Sequence, residues 1–173
     1  HSIRRRQRQM CIRDRLAIEQ YARTSGQAFL RFDYQGHGQS SGDFSKGTIG
    51  TWLSDSLAII DSQTTGPQIL IGSSMGGWLS LLATQERPER IAGLVGIASA
   101  PDFTEDLMWN KFEQSIKNTL LEDGIYYEHT EYNDSPYIIT LPLINDGRSR
   151  LVLREKLMIH VPIRLLHGLS DAD

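Results

Sequence analysis

The sequence predicts an α/β fold: a doubly wound, mostly parallel sheet interrupted by a helical insertion. Three observations lead there. From residue 16 onward, short apolar runs alternate with segments of helical periodicity, a rhythm that implies parallel strands joined by crossover helices. The run Ile91 to Ile97 is apolar throughout, which marks a strand buried on both faces. Between residues 102 and 160 the rhythm breaks, and it resumes with a further apolar run ending at Leu166.

Each element follows from local signals. Leu16, Ala17, Tyr21 and Ala22 recur at helical spacing, and Ser25-Gly26 supplies a stop. Ala28 to Phe32, bounded by Gly26 and by Gly36-His37-Gly38, reads as a strand. Gln35 to Gly47 is rich in Gly and Ser and reads as a loop. Thr48 is the N-cap of a helix reaching Asp61, with Trp52, Ala58 and Ile59 inward. Gly66-Pro67 then turns the chain into the strand Gln68 to Ile71. A sharp turn and a helix follow in GSSMGGWLSLLATQERPE, stopping near Pro88. Residues 102–160 read as two or three helices and a tyrosine-rich loop, and Ile163 to Leu166 as another buried strand.

Composition excludes several classes. Apolar residues are 39% of the 173 and charged residues 23%, enough for a packed core. The longest apolar run, Ile91 to Ala100, is about half of what a bilayer crossing needs, so no membrane span is expected. The single cysteine, Cys11, leaves no disulfide within the chain and no cysteine-cluster metal site. The five histidines, at positions 1, 37, 129, 160 and 167, lack ligand spacing, so neither metal nor cofactor is expected.

Charge is divided unevenly. Six arginines fall in the first fifteen residues, and without that stretch 12 basic face 20 acidic side chains, a net −8 for Leu16 to Asp173. Such an arm can bind nucleic acid or be an organelle presequence. The string RRRQRQMCIRDR also resembles translated sequencing-adapter read-through. Residues 1–15 are therefore expected to be non-native and are set aside. The acidic remainder repels polyanions at long range, and no nucleic-acid partner is expected.

Gly72-Ser73-Ser74-Met75-Gly76 is G-x-S-x-G, after an apolar strand and before a helix. That context gives the pattern its meaning: a tight turn holds the serine in strained backbone angles above the sheet's C-terminal edge. Ser74 is the candidate nucleophile. The Met75 backbone N–H, at the helix start, is the candidate oxyanion donor. A Gly/Ser turn cradling phosphate is the rival reading, and the sequence lacks the Gly-Lys-Ser/Thr that would favour it. A serine hydroxyl needs a base, and the base an orienting acid. Asp171, just past the strand at Ile163 to Leu166, is the candidate acid, with Asp173 its competitor. No histidine follows Asp171, although the chain order of this arrangement puts the base last.

FDYQGHGQSSG, IGSSMGGW and PIRLLHGLSDAD together resemble the α/β-hydrolase superfamily. LAIEQYARTSG, RFDYQGHGQSSG and GPQILIGSSMGGWL are most similar to its branch of mitochondrial palmitoyl-protein thioesterases and acyl-glucuronide esterases with their bacterial relatives. The resemblance runs from Leu16 to the last residue. It implies Ser74 as nucleophile and Asp171 as acid. It also implies a sheet truncated at both ends: the family's first three strands, the loop with the second oxyanion donor, the last strand and the histidine have no counterpart here. A strand missing between Ala28–Phe32 and Gln68–Ile71 should leave those two unpaired, with Ile71, Val95 and Leu165 on one contiguous sheet. Residues 16–101 and 161–173 form a partial core in this reading, and 102–160 a lid.

The implied activity is a serine esterase or thioesterase working through an acyl-enzyme, on a small-molecule ester or acyl thioester or an acylated protein. Seven of the fourteen aromatics lie in 102–160, namely Phe103, Trp109, Phe112, Tyr126, Tyr127, Tyr132 and Tyr137. They suit an acyl chain or aryl group, or they pack the lid's own core. Aminopeptidase, lactone-hydrolase or haloperoxidase-like chemistry are alternatives on the same elbow, and a catalytically silent binding module is an alternative of another class. A bacterial cytoplasmic location is expected, or a mitochondrial one for a eukaryotic source.

Overall fold

The protein is described here by a computed structural model covering residues 16–129 and 136–169. The chain divides into two compact units, residues 1–33 with 127–138, and residues 34–126 with 139–173.

In the first unit, α1 spans residues 16–24. It closes with the Ser25 N–H on the Tyr21 carbonyl and with Gly26 at φ 66°, a left-handed stop that glycine adopts without penalty. Glu19 accepts from both Arg23 (2.8 Å) and Arg31 (3.0 Å), and these guanidiniums hold its carboxyl below the ordinary value. The expected strand at Ala28 to Phe32 is not present: residues 28–32 belong to neither sheet. An apolar run supplies propensity, but only a paired neighbour makes an extended segment a strand.

The second unit holds the three-stranded sheet and the helices packed on it. Thr48 caps α2 (Ile49–Gln63) through a reciprocal box with Thr51, satisfying two helix-end donors at once. Trp52 is buried as expected, but Ala58 is exposed and Ile59 only half-buried. The inward stripe is Ile49, Trp52, Leu53, Ser56 and Ile60, because that 3–4 spacing keeps one face toward the core. The helix also runs two residues beyond Asp61.

Strands β1 (Gln68–Ser73), β2 (Ile91–Ile97) and β5 (Ile163–Leu166) form a parallel sheet in the order β1-β2-β5. Ile71 pairs with Val95, and Gly96 with Leu165, so those three segments share one continuous sheet as expected. Helix α3 (Met75–Glu86) follows β1 directly. Leu94, Trp78, Leu79, Leu82, Trp52 and Leu53 meet in one apolar core, with Leu70 and Ile163 packed against it. Full burial is observed in neither strand expected to have it. In β2 Ala92 is exposed and Val95 half-buried, and in β5 Leu165 and Leu166 are 71% and 57% exposed. Helices α2 and α3 cover only part of one face, and β5 is an edge strand among the described residues.

The inserted stretch holds a π-helical turn (Thr104–Trp109), α4 (Gln114–Asp123), β3 (Ile125–Glu128), β4 (Tyr137–Thr140) and α5 (Leu141–Arg148). The expected tyrosine-rich loop is partly a two-stranded sheet, β3-β4, built on Ile and Tyr residues that favour strands. Residues near its end return to the core: Leu143 and Val152 are buried there, and the Trp78 indole N–H donates to the Arg150 carbonyl (3.2 Å). Among the described residues, no helix is long and apolar enough to cross a membrane.

Candidate active site

Strand β1 delivers Ser74 to the sheet's C-terminal edge, and α3 begins one residue later. Ser74 has φ 52° and ψ −121°, a backbone conformation costing a non-glycine residue about 1–3 kcal/mol and kept only where the surroundings impose it. They do so visibly. The Ser74 N–H donates to the Ile97 carbonyl (3.0 Å), and the Ser74 carbonyl accepts from Gly77 (2.9 Å) and Ala100 (3.2 Å). A side chain at Gly72 would run into the Gly76 carbonyl, and one at Gly77 into the Ser99 hydroxyl. Glycine is therefore required for the strand and the first helical turn to approach this closely.

The Ser74 side chain is exposed and makes no capping bond to its own helix, which leaves the hydroxyl available for chemistry. The Met75 N–H is the first of the helix, among the donors that have no intrahelical acceptor, and sits at the positive end of the α3 dipole. An anion forming beside Ser74 would meet that donor. Asp171 and Asp173 lie outside the described residues. The approach to them is defined: Ser73 pairs with Ile97, and Ile97 with Leu166. The chain therefore leaves β5 on the edge where Ser74 stands, two strand spacings (about 10 Å) away.

Among the described residues, no histidine is hydrogen-bonded to Ser74. His37 is packed edge-on among Tyr34, Phe44 and Trp52, with centroids 5.8, 5.2 and 5.0 Å away. Its Nδ1 lies 3.3 Å from the Gln35 carbonyl, and Trp52 donates to that carbonyl as well (3.1 Å). The ring shapes the loop. His129, His160 and His167 are exposed. Tyr34 lies nearer the elbow, its hydroxyl 3.8 Å from where a Gly76 Cβ would stand. Burial pushes its phenol above the ordinary value, and the Ser56 side chain hydrogen-bonds to it.

Sequence reasoning missed Asp102. It follows β2, also at the C-terminal edge, and is fully buried. Its carboxylate accepts from the backbone N–H groups of Val152 (2.8 Å) and Leu153 (2.9 Å). Both oxygens are engaged by backbone donors. A Pro-Asp at the start of the insertion was the visible signal, but its partners lie fifty residues on. Of the insertion's aromatics, Phe103 meets Trp78 of α3 edge-on (5.7 Å), Phe112 lies 6.4 Å from Tyr126, the Arg148 guanidinium stacks on Trp109 (4.3 Å), and Tyr127 is exposed. Among the described residues, no cluster of His, Cys, Asp or Glu could hold a metal.

A parallel sheet whose strand passes through a strained serine straight into a helix has the α/β-hydrolase fold, and solved structures share it. A protein from Agrobacterium vitis S4, named no more closely than as a hydrolase, superposes with a TM-score of 0.86 at 39% identity, over 91% of this chain and 63% of that one. Mouse alpha/beta hydrolase domain-containing protein 10 gives 0.80 at 35% identity, over 91% and 63%. The chain belongs to the hydrolase family described as "serine aminopeptidase, S33", whose model matches residues 16–135. Human mitochondrial palmitoyl-protein thioesterase ABHD10 is 38% identical over 157 residues, 90% of this chain and 51% of the relative. The chain thus spans about half the length of the curated relatives it matches.

Proposed function

We propose that this chain is the nucleophile-bearing portion of a serine hydrolase acting on carboxylic esters or acyl thioesters. The observation that carries the reading is the Ser74 backbone, held at φ 52° between β1 and α3 with its side chain exposed. The naming of relatives as palmitoyl-protein thioesterases supports the thioester class, and an acylated protein is then a candidate substrate.

In this reading the Ser74 Oγ attacks the acyl carbonyl while a histidine, not among those of this chain, takes its proton. Asp171 orients that histidine and stabilises its charged form. The tetrahedral oxyanion forms at the Met75 N–H, the histidine returns the proton to the departing alcohol or thiol, and water releases the acyl-enzyme by the reverse sequence. The family description as serine aminopeptidases favours one second reading, amide cleavage at a peptide N-terminus, which the same elbow can perform.

The test is covalent labelling of the protein containing this chain with a fluorophosphonate. Ser74→Ala is expected to abolish labelling and Ser73→Ala to preserve it. Labelling that survives Ser74→Ala overturns the assignment. Decanoyl thioesters turning over faster than acetyl thioesters and aminoacyl amides would separate the first reading from the second.

A further inference from the structure

We propose that Asp102 is a positioning residue for Ser74, tying the elbow to the far end of the insertion through the strap of residues 97–102. The inference rests on Ser74 being the reacting group, and it assigns a role to a residue that touches neither substrate nor Ser74.

The non-glycine residues with positive φ among those described are Ser74 (52°), Ala98 (42°) and Asp102 (59°). All three lie on one connected path. Ile97 accepts from the Ser74 N–H, Ala98 donates to the Leu166 carbonyl (2.8 Å), and Ala100 donates to the Ser74 carbonyl. Between them, the Ser99 hydroxyl is buried without a hydrogen-bond partner among the described residues. It fills the space that side chains at Gly77 and Gly96 would occupy. The strap therefore wedges the first turn of α3 against β2. Strain of this kind relaxes unless it is held at both ends.

Asp102 is the second hold. Its main-chain carbonyl accepts from Glu105 (3.0 Å) and Asp106 (2.9 Å), starting the π-helical turn. Its side chain binds the amides of Val152 and Leu153. Arg154, next in sequence, pairs with Asp106 and stands 4.0 Å from Asp102. A buried carboxylate taking two backbone donors is bound more tightly than a neutral pair would be, so the strap cannot slacken without leaving a charge unsatisfied.

The experiment is amide hydrogen exchange together with fluorophosphonate labelling, on the protein containing this chain, in wild type, Asp102→Ala, Asp102→Asn and Asp106→Asn. In Asp102→Ala, the Val152, Leu153 and Ala100 amides are expected to exchange about tenfold faster or more, the scale of a lost charged hydrogen bond. Maximal labelling rate should fall about tenfold with the half-saturating reagent concentration unchanged, as misplacement of a nucleophile requires. Asp102→Asn, which keeps one acceptor, should release one of the two exit amides and sit between. It decides the matter should the alanine variant not fold. Asp106→Asn, which weakens the pair with Arg154 but keeps the Asp102 carboxylate, should leave Ala100 exchange and labelling at wild-type values. Unchanged exchange at Val152 and Leu153 overturns the clamp. Faster exchange there with Ala100 and labelling untouched overturns the link to the elbow and leaves only a structural clasp. An unlabelled wild type overturns the serine reading and the positioning role that rests on it, whereas Ala100 exchange in Asp102→Ala decides separately whether the clamp holds the elbow.

Discussion

On one face of the β1-β2-β5 sheet, Leu70, Leu94 and Ile163 meet the rings and leucines of α2 and α3. On the other face Ile69 and Ile71 are 68% and 44% exposed, while Leu94 is 2%. The elbow belongs to the covered face: Gly72 and Gly96 are paired across the strands and alternate with Leu70 and Leu94, so their missing side chains leave room on the packed side. The difference explains why strain survives at Ser74. Dense packing beneath it removes every easier backbone path, whereas an exposed face would let the turn relax.

The largest effect expected is at Leu94. Leu94→Ala should cost about 3–4 kcal/mol in denaturant unfolding of this chain, from lost burial and an unfilled cavity. A loss near that of a surface change would mean the covered face is not the source of stability. Gly72→Ala comes next. The added methyl meets the Gly76 carbonyl, and the overpacking should cost about 1–3 kcal/mol and slow any Ser74 labelling as well. Normal stability and labelling would show that the elbow has slack.

Tyr34→Phe has a smaller effect with a pH signature. Losing the hydroxyl's bond to Ser56 should cost about 1 kcal/mol at neutral pH. The folded-state phenol titrates above its ordinary value of 10.0, so its contribution is complete below pH 10 and disappears as pH rises through the raised value. Wild type should therefore lose thermal stability above pH 10 more steeply than Tyr34→Phe. Parallel pH profiles would contradict the burial of this group. Smallest of all, Ile69→Ser on the open face should change unfolding by roughly 0.5 kcal/mol or less. A cost like that of Leu94→Ala would mean that something covers this face in solution.

What could be read in the sequence follows the range of the interactions. The elbow was legible because Gly72, Ser74, Gly76 and Gly77 act within six residues, each constraint being local. β2 and β5 were legible from apolar runs with clear boundaries, and Thr48 from the chemistry of a helix start. The inward face of α2 was misjudged at Ala58 and Ile59, because the stripe is set by what α3 presents. Ala28 to Phe32 has the composition of a strand but not the neighbour that would make it one. Asp102 was overlooked because a buried carboxylate has no local signature when its donors, Val152 and Leu153, arrive from fifty residues away.

The grip of Asp102 on those two amides has a consequence for how such a protein changes over time. It brings the entrance and exit of the insertion together independently of what lies between Trp109 and Leu141, where α4 and the β3-β4 sheet are found. With the ends already joined, doubling the length of the intervening chain adds only about 0.6 kcal/mol of closure entropy. That stretch can therefore be lengthened, shortened or exchanged as a cassette while Ser74 keeps its geometry.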